Sequence, residues 1–333
     1  MFLNKNIKII INYLFGPIIF LLLVFAIYKQ LLAKANWQGS LKQIIDAITG
    51  KHQWKIWLVC IFMFFNWGTE ARKWQLSIAQ VQHITWWRAF KATLTGSTLA
   101  CFTPNRTGEY FGRMLYIQEG KRAQTVSLTI IGSISQIMVT MIIGGIGIVF
   151  FKKYTITNNL LLNPDVFYSG LNILLSIVVI AFILLVIFYF KLSWLVNALN
   201  FFRLPGKYLV YVKISEGLKT GILLRILSLS FLRYCIFILQ YYLMFEVFNV
   251  PLTFLQTLNS ISIVFLVMAV APTFTVLTEL GLRWAACVQV VQLFSTNVVG
   301  IMAASFGIWF INLVIPALAG SLLILGVKLF KNK

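Results

Sequence analysis

The sequence predicts an all-α protein: a polytopic transmembrane helix bundle of about six spans, with two re-entrant (broken-helix) hairpins and an inverted internal repeat. Three observations predict it. First, 60% of the residues are hydrophobic and only 11% charged, with a mean hydropathy of +0.88. Second, the uncharged runs 9–28, 123–151, 166–190, 247–278 and 284–327 each reach the roughly 20 residues that a spanning helix needs. Third, a proline followed by a glutamate, with an arginine four residues after that glutamate, occurs twice: Pro104, Glu109, Arg113 and Pro272, Glu279, Arg283. A charge at membrane depth costs about 2.5–3.5 kcal/mol even on the lenient insertion scale. Two matched, proline-interrupted charged breaks in an apolar chain therefore point to a binding site built from repeat halves.

The elements follow in order. Lys5 and Lys8 precede the first run, which places the N-terminus in the cytoplasm. The run 9–28 is too long for a signal sequence and lacks a small-residue cleavage site, so it reads as an anchor helix. Residues 37–53 carry Trp37, Leu41, Ile44, Ile45 and Ile48 at helical spacing, as an interfacial amphipathic segment does. A helix over 54–74 returns inward, with Arg72 and Lys73 at its cytoplasmic end. The stretch from Phe90 to Cys101 is too short to span and stops at Pro104, which breaks a helix by its fixed φ and missing N–H. Residues 108–119 bring the chain back to Lys121 and Arg122, closing the first hairpin. Helices over 124–151 and 167–190 lead to a cytoplasmic region, 191–219, with Lys191, Arg203, Lys207, Lys213 and Lys219 against Glu216. A helix over 221–248 precedes the second hairpin (254–271 and 276–294), and a last helix over 298–326 ends inside near Lys328, Lys331 and Lys333.

The chain thus reads as one membrane domain, 1–333, with repeat halves at about 54–190 and 221–327. Both termini are cytoplasmic in a bacterial inner-membrane protein. Trp74-Gln75-Leu76 and Tyr241-Tyr242-Leu243 align ahead of the two prolines. The first hairpin enters from the cytoplasm and the second from outside, so the halves are inverted and their sites meet near the midplane. Full spanning pairs in place of the hairpins are the alternative. Every basic cluster except Lys152 and Lys153 falls on the cytoplasmic side in this scheme.

The net charge of +20, from 28 Lys/Arg against 8 Asp/Glu, would suggest nucleic acid in a soluble chain. Here the basic residues lie between apolar runs, as the positive-inside rule requires, and no nucleic-acid partner is expected. The expected partners are the membrane and its anionic lipid phosphates. Cys60, Cys101, Cys235 and Cys287 sit in apolar segments without CxxC spacing, and His52 and His83 stand alone, so neither disulfide nor metal is expected. No nucleophile elbow, HExxH or Gly-rich phosphate loop is present, and Glu109 and Glu279 are flanked by arginines. No catalytic residue, cofactor or enzyme activity is expected.

The chemistry concentrates in the breaks. Thr103 suits an N-cap and Pro104 the first helical position, leaving free N–H groups that favour an anion. On a helix starting there, Arg106, Glu109 and Arg113 share one face. Glu109 can pair with either arginine and leave one positive charge for a phosphate; alternatively, the three form a self-satisfied ion cluster. Glu279 and Arg283 form an i, i+4 pair among Thr273, Thr275 and Thr278, either locking the site or carrying a proton. Glu70 is expected to face inward beside Trp67 and Trp74, Asn66 to join helices, and Arg233 to face the interior or a wet cavity. Gln136 needs a partner within lipid, and Gly144, Gly145 and Gly147 suit close helix packing.

The segment Glu70-Ala71-Arg72-Lys73-Trp74, the break Pro104-Asn105-Arg106-Thr107-Gly108-Glu109 with Arg113, and Gly132-Ser133 with Gln136 resemble the lysylphosphatidylglycerol synthase transmembrane region, or flippase-like domain proteins. The resemblance covers about residues 10–327. The second break departs from it, because Glu279 precedes Arg283 and Trp284 follows. The resemblance implies movement of polar lipids, such as aminoacylated phospholipids or lipid-linked glycans, across the bilayer. Fused members carry a soluble aminoacyltransferase domain, which is not expected here, so a translocase is implied. A non-transporting accessory subunit of a membrane glycosyltransferase or another envelope biosynthesis enzyme is the alternative.

Overall fold

The computed structural model describes residues 45, 49–50, 52–157, 164–190, 217–271 and 276–325, and the regular elements within them are all helical. In chain order these are α1 (Gln53–Ile78), α2 (Trp86–Ala100), α3 (Gly108–Met114), α4 (Arg122–Thr157), α5 (Pro164–Phe190), α6 (Thr220–Val247), α7 (Phe254–Val270), α8 (Val276–Val291), α9 (Val298–Trp309) and α10 (Ile315–Leu325). Four segments are long and apolar enough to cross a bilayer: Glu119–Thr157, Phe167–Phe190, Thr220–Val247, and Val298–Ile324 through α9 and α10. The protein is an all-α, multi-span membrane helix bundle. The anchor at 9–28, most of 37–53, the basic region 191–216, the second break at 272–275 and the C-terminal lysines lie outside the described residues.

Side-chain caps fix several helix starts. The Thr85 hydroxyl accepts from the Arg88 N–H at the start of α2, Thr253 and Gln256 form a capping box on α7, and Asn297 accepts from the Gly300 N–H on α9. Exposed tryptophans stand near the starts of two helices, Trp54 and Trp57 on α1 and Trp86 and Trp87 on α2. Amphipathic rings favour the membrane–water interface, so these mark its two levels. Ile173, Ile180 and Leu184 of α5 point outward, as a lipid-facing helix requires.

Apolar burial drives little helix association inside lipid, because the tails are as apolar as leucine. Close packing and polar contacts must supply the cohesion. In the first hairpin α3 lies against α2 with backbones almost touching: a Cβ on Gly112 would fall 2.5 Å from the Gly96 Cα. On another side of α2, a Cβ on Gly320 of α10 would fall 2.1 Å from the Leu94 carbonyl oxygen. The Thr98 hydroxyl donates to the Ala317 carbonyl at 2.6 Å in the same contact. The glycines of α4 behave as expected: Gly144 and Gly147 face α7, and Gly145 faces α5.

Helix α2 packs on α10, and α7 packs on α4. The pair α1 and α6 lies side by side at the centre, with Val59 and Met63 joining Tyr241, Phe245, Ile301 and Ile308 in one apolar core.

The last span contains a π-turn at Phe310–Val314, between α9 and α10. Pro316 explains it. Proline has no N–H to offer the carbonyl four residues back and its ring crowds that carbonyl, which belongs to Asn312. The released carbonyl accepts from the Trp67 indole N–H of α1 at 3.1 Å. A local defect in one helix thereby becomes a bond between two.

Candidate functional site

A cavity of about 240 Å³ lies among α1, α4, α6, α8, α9, the first break and the π-turn. Its charged lining consists of Glu70 and Lys73 from α1, Arg106 and Glu109 from the first break, Arg233 from α6, and Glu279 and Arg283 from α8. Ser133, Gln136, Trp67, Trp309 and Asn312 are among the uncharged residues of the wall.

The charges form two networks. The first centres on Glu70, a carboxylate on a buried turn of α1. Its Oε1 lies 2.8 Å from Arg113 Nη2, and its Oε2 lies 2.7 Å from Lys73 Nζ and 2.5 Å from Arg233 Nη1. Arg113 also pairs with Glu109 one turn earlier on α3. The second network centres on Glu279, with Oε1 2.9 Å from Arg283 Nη2 and Oε2 3.6 Å from Arg106 Nη1. Arg283 also donates to the Tyr241 hydroxyl at 3.1 Å.

Both networks join residues far apart in the chain. Glu70 takes Arg233, while Glu279 takes Arg106. The arginine of each i, i+4 pair also reaches a further helix. Arg113 reaches Glu70 on α1, and Arg283 reaches Tyr241 on α6. Aromatic faces support two of the cations, with the Arg233 guanidinium 5.6 Å from the Trp67 ring and that of Arg113 5.8 Å from Trp74.

Polar contacts hold the floor of the site. Arg233 Nε donates to Asn66 Oδ1 at 2.6 Å, and Asn66 Nδ2 donates to Asn312 Oδ1 at 3.2 Å. The turn at Pro316 therefore ties α10 to α1 and, through Asn66, to α6. Gln136 donates to the Ser230 carbonyl at 3.5 Å. The Trp309 indole N–H is buried and has no partner among the described residues.

The site departs from the sequence reading at three points. Thr103 to Arg113 is not one helix: Pro104–Arg106 is a 3₁₀ turn in which Asn105 and Arg106 take positive φ of 48° and 59°. Arg106 consequently leaves the face shared by Glu109 and Arg113, and it meets Glu279 instead. Positive φ at non-glycine residues is costly and collects at ligand clamps and switches. Thr103 makes no side-chain cap bond on the turn it precedes; its hydroxyl accepts instead from the Gly108 N–H, five residues on, at 2.6 Å, and it is not among the residues lining the cavity. Arg113 sits behind the wall, bridging Glu70 and Glu109.

Lys73 was expected to be an interfacial anchor like Arg72, yet it is only 3% exposed and lies on Glu70. Its position three residues after Glu70 was the available signal, since i and i+3 share a helix face. Trp309 and Asn312 were not anticipated, although Pro316 inside an apolar run pointed to a released carbonyl at Asn312. Arg233 faces the interior as expected, and its partner Glu70 lies on a helix 163 residues away in sequence.

A helix bundle with proline-broken, charge-lined helices around an internal cavity belongs to the class of membrane-embedded transport proteins. Residues 9–320 match the family model of the lysylphosphatidylglycerol synthase transmembrane region, and the chain belongs to that family. Membership identifies a flippase-like membrane domain, consistent with a multi-pass protein of the bacterial inner membrane and with a setting in phospholipid and envelope biosynthesis. No curated protein and no solved structure matches the chain.

Proposed function

We propose that this protein moves a lipid with an anionic head across the membrane, and that the cavity is where the head crosses. The observation that carries this reading is the placement of Arg106, Arg233 and Arg283 around one cavity inside a chain built for lipid. Arginine presents a planar fork of donors to phosphate oxygens. Arg106 engages the phosphate first, because it is 35% exposed at the mouth and held to Glu279 only by a long contact. Arg113 and Glu70 form the braced wall behind it, Glu109 orients Arg113, and Glu279 with Arg283 closes the opposite side.

Two re-entrant hairpins and inverted halves complete the proposal. The 15 residues of α2 reach about 22 Å at 1.5 Å per residue, short of the roughly 30 Å hydrocarbon core. The exchange in which α2 packs on α10 and α7 on α4 is what two interlocked repeats produce. The basic loops support a cytoplasmic side for both termini.

The test is exposure of a head-labelled lipid in vesicles containing this protein alone. Rapid exchange between leaflets supports translocation. Exchange no faster than in protein-free vesicles overturns it and favours an accessory subunit of an envelope enzyme. A cysteine at Thr107 in a cysteine-free background should react with a small aqueous thiol reagent; an inert thiol there would sink the water-accessible hairpin.

A further inference from the structure

Resting on the translocation reading, we infer that the cavity takes a head group with two negative charges, a phosphomonoester, and discriminates against singly charged phosphodiesters and aminoacylated heads. Charge balance carries the argument. Together the two networks around the cavity contain five cations, Lys73, Arg106, Arg113, Arg233 and Arg283, against three carboxylates, Glu70, Glu109 and Glu279. Two positive charges are left over among the described residues of the site.

Surplus charge away from water is strongly unfavourable unless it is compensated. Sharing makes the deficit visible: Glu70 alone serves three cations, and Glu279 serves two arginines. A single carboxylate cannot neutralise that many donors, whereas a bound dianion brings the cluster to neutrality. The partnerless Trp309 indole N–H adds a donor and no charge, and so also suits an anionic oxygen. At about 240 Å³ the cavity is smaller than the roughly 300–1,000 Å³ of pockets for drug-sized ligands. It holds a compact head and leaves acyl chains in the bilayer. A lysyl ester of a phosphodiester carries a net positive head and would add to the surplus.

The experiment uses the full chain in detergent and reads the melting temperature during titration with short-chain lipids, from which apparent affinity follows by linkage. The probes are dioctanoyl phosphatidic acid, dioctanoyl phosphatidylglycerol, its lysyl ester and inorganic phosphate. Phosphatidic acid should bind at least about tenfold more tightly than phosphatidylglycerol, with the lysyl ester weakest. The preference should shrink below about pH 6, where a phosphomonoester loses its second charge.

Gln136→Glu puts one negative charge into the wall and removes no ion pair, so it should bring the two anionic lipids to about equal affinity. Ser133→Asp serves the same purpose if that variant fails to fold. Phosphatidylglycerol binding as tightly as phosphatidic acid to the unaltered chain would overturn the dianion assignment and leave the anionic-lipid reading standing. Inorganic phosphate binding as tightly as the lipid would keep the dianion and overturn its lipid source. Silence from every probe would overturn both.

Discussion

Glu70 and Arg233 meet 2.5 Å apart across the two halves of the chain, between α1 and α6. The contact makes one carboxylate the hub of a buried cluster, because Lys73 shares the same oxygen and Arg113 takes the other. Assembly of the halves and assembly of the site are therefore the same event.

Replacing Glu70 by Gln should be the most damaging of the single glutamate substitutions. It leaves Lys73 and Arg233 without a carboxylate and Arg113 with Glu109 alone, and breaking a buried pair costs about 3–5 kcal/mol. Thermal unfolding of the purified protein should show Glu70→Gln well below Glu279→Gln, because the latter leaves Arg283 still bonded to Tyr241. Equal melting temperatures for the two would show that Glu70 is not the hub.

Arg106 and Arg113 should separate binding from folding. Arg113 is buried between two carboxylates, so Arg113→Ala should lower stability by about 3–5 kcal/mol. Arg106 is partly exposed with one long contact, and its removal should cost about 1 kcal/mol or less while abolishing lipid exchange. Arg106→Lys should restore exchange in part, supplying charge without the planar fork. Full exchange by a well-folded Arg106→Ala protein would remove this arginine from the head-group site.

Thr103 should prove structural. Thr103→Val removes the acceptor of the Gly108 N–H and should cost about 0.5–1.5 kcal/mol, the net worth of one hydrogen bond, with lipid affinity retained. Altered affinity at unchanged stability would return Thr103 to the ligand site.

The bond between Trp67 and the Asn312 carbonyl should depend on Pro316. Pro316→Ala restores an N–H that competes for that carbonyl, so Trp67→Phe and Pro316→Ala should be strongly non-additive. A double-mutant cycle on melting should return a coupling of about 0.5–1.5 kcal/mol, the net worth of one hydrogen bond. Strict additivity would detach the indole from the π-turn.

The helices were legible because length and lack of charge force a chain into spanning helices, and the first break was legible because Pro104 has one structural meaning. The pairs Glu109–Arg113 and Glu279–Arg283 were legible too, since i, i+4 neighbours face one another wherever the helix lies. Partners across helices were not. Nothing in the spacing of Arg106 and Glu279, or of Glu70 and Arg233, says that tertiary packing joins them. Arg106 was the sharpest case: the positive φ at Asn105 and Arg106 turned its side chain off the expected face, and neither residue is the glycine that would have signalled it. Pro272, Thr273 and Thr275 lie outside the described residues, so the second break is seen only from α8 onward.

The backbone contacts of α2 bear on how such a protein can change shape. Gly112 lets α3 touch it on one side and Gly320 lets α10 touch it on another. Sliding between helices ordinarily takes place across a layer of side chains that can exchange rotamers, and no such layer exists at these two points. The three helices are consequently one stiff block, although α10 lies far from α2 and α3 in the chain. Any rocking that opens the cavity to alternate sides must carry this composite block against the rest. The hinge line then falls around this block, and not between α2 and α10.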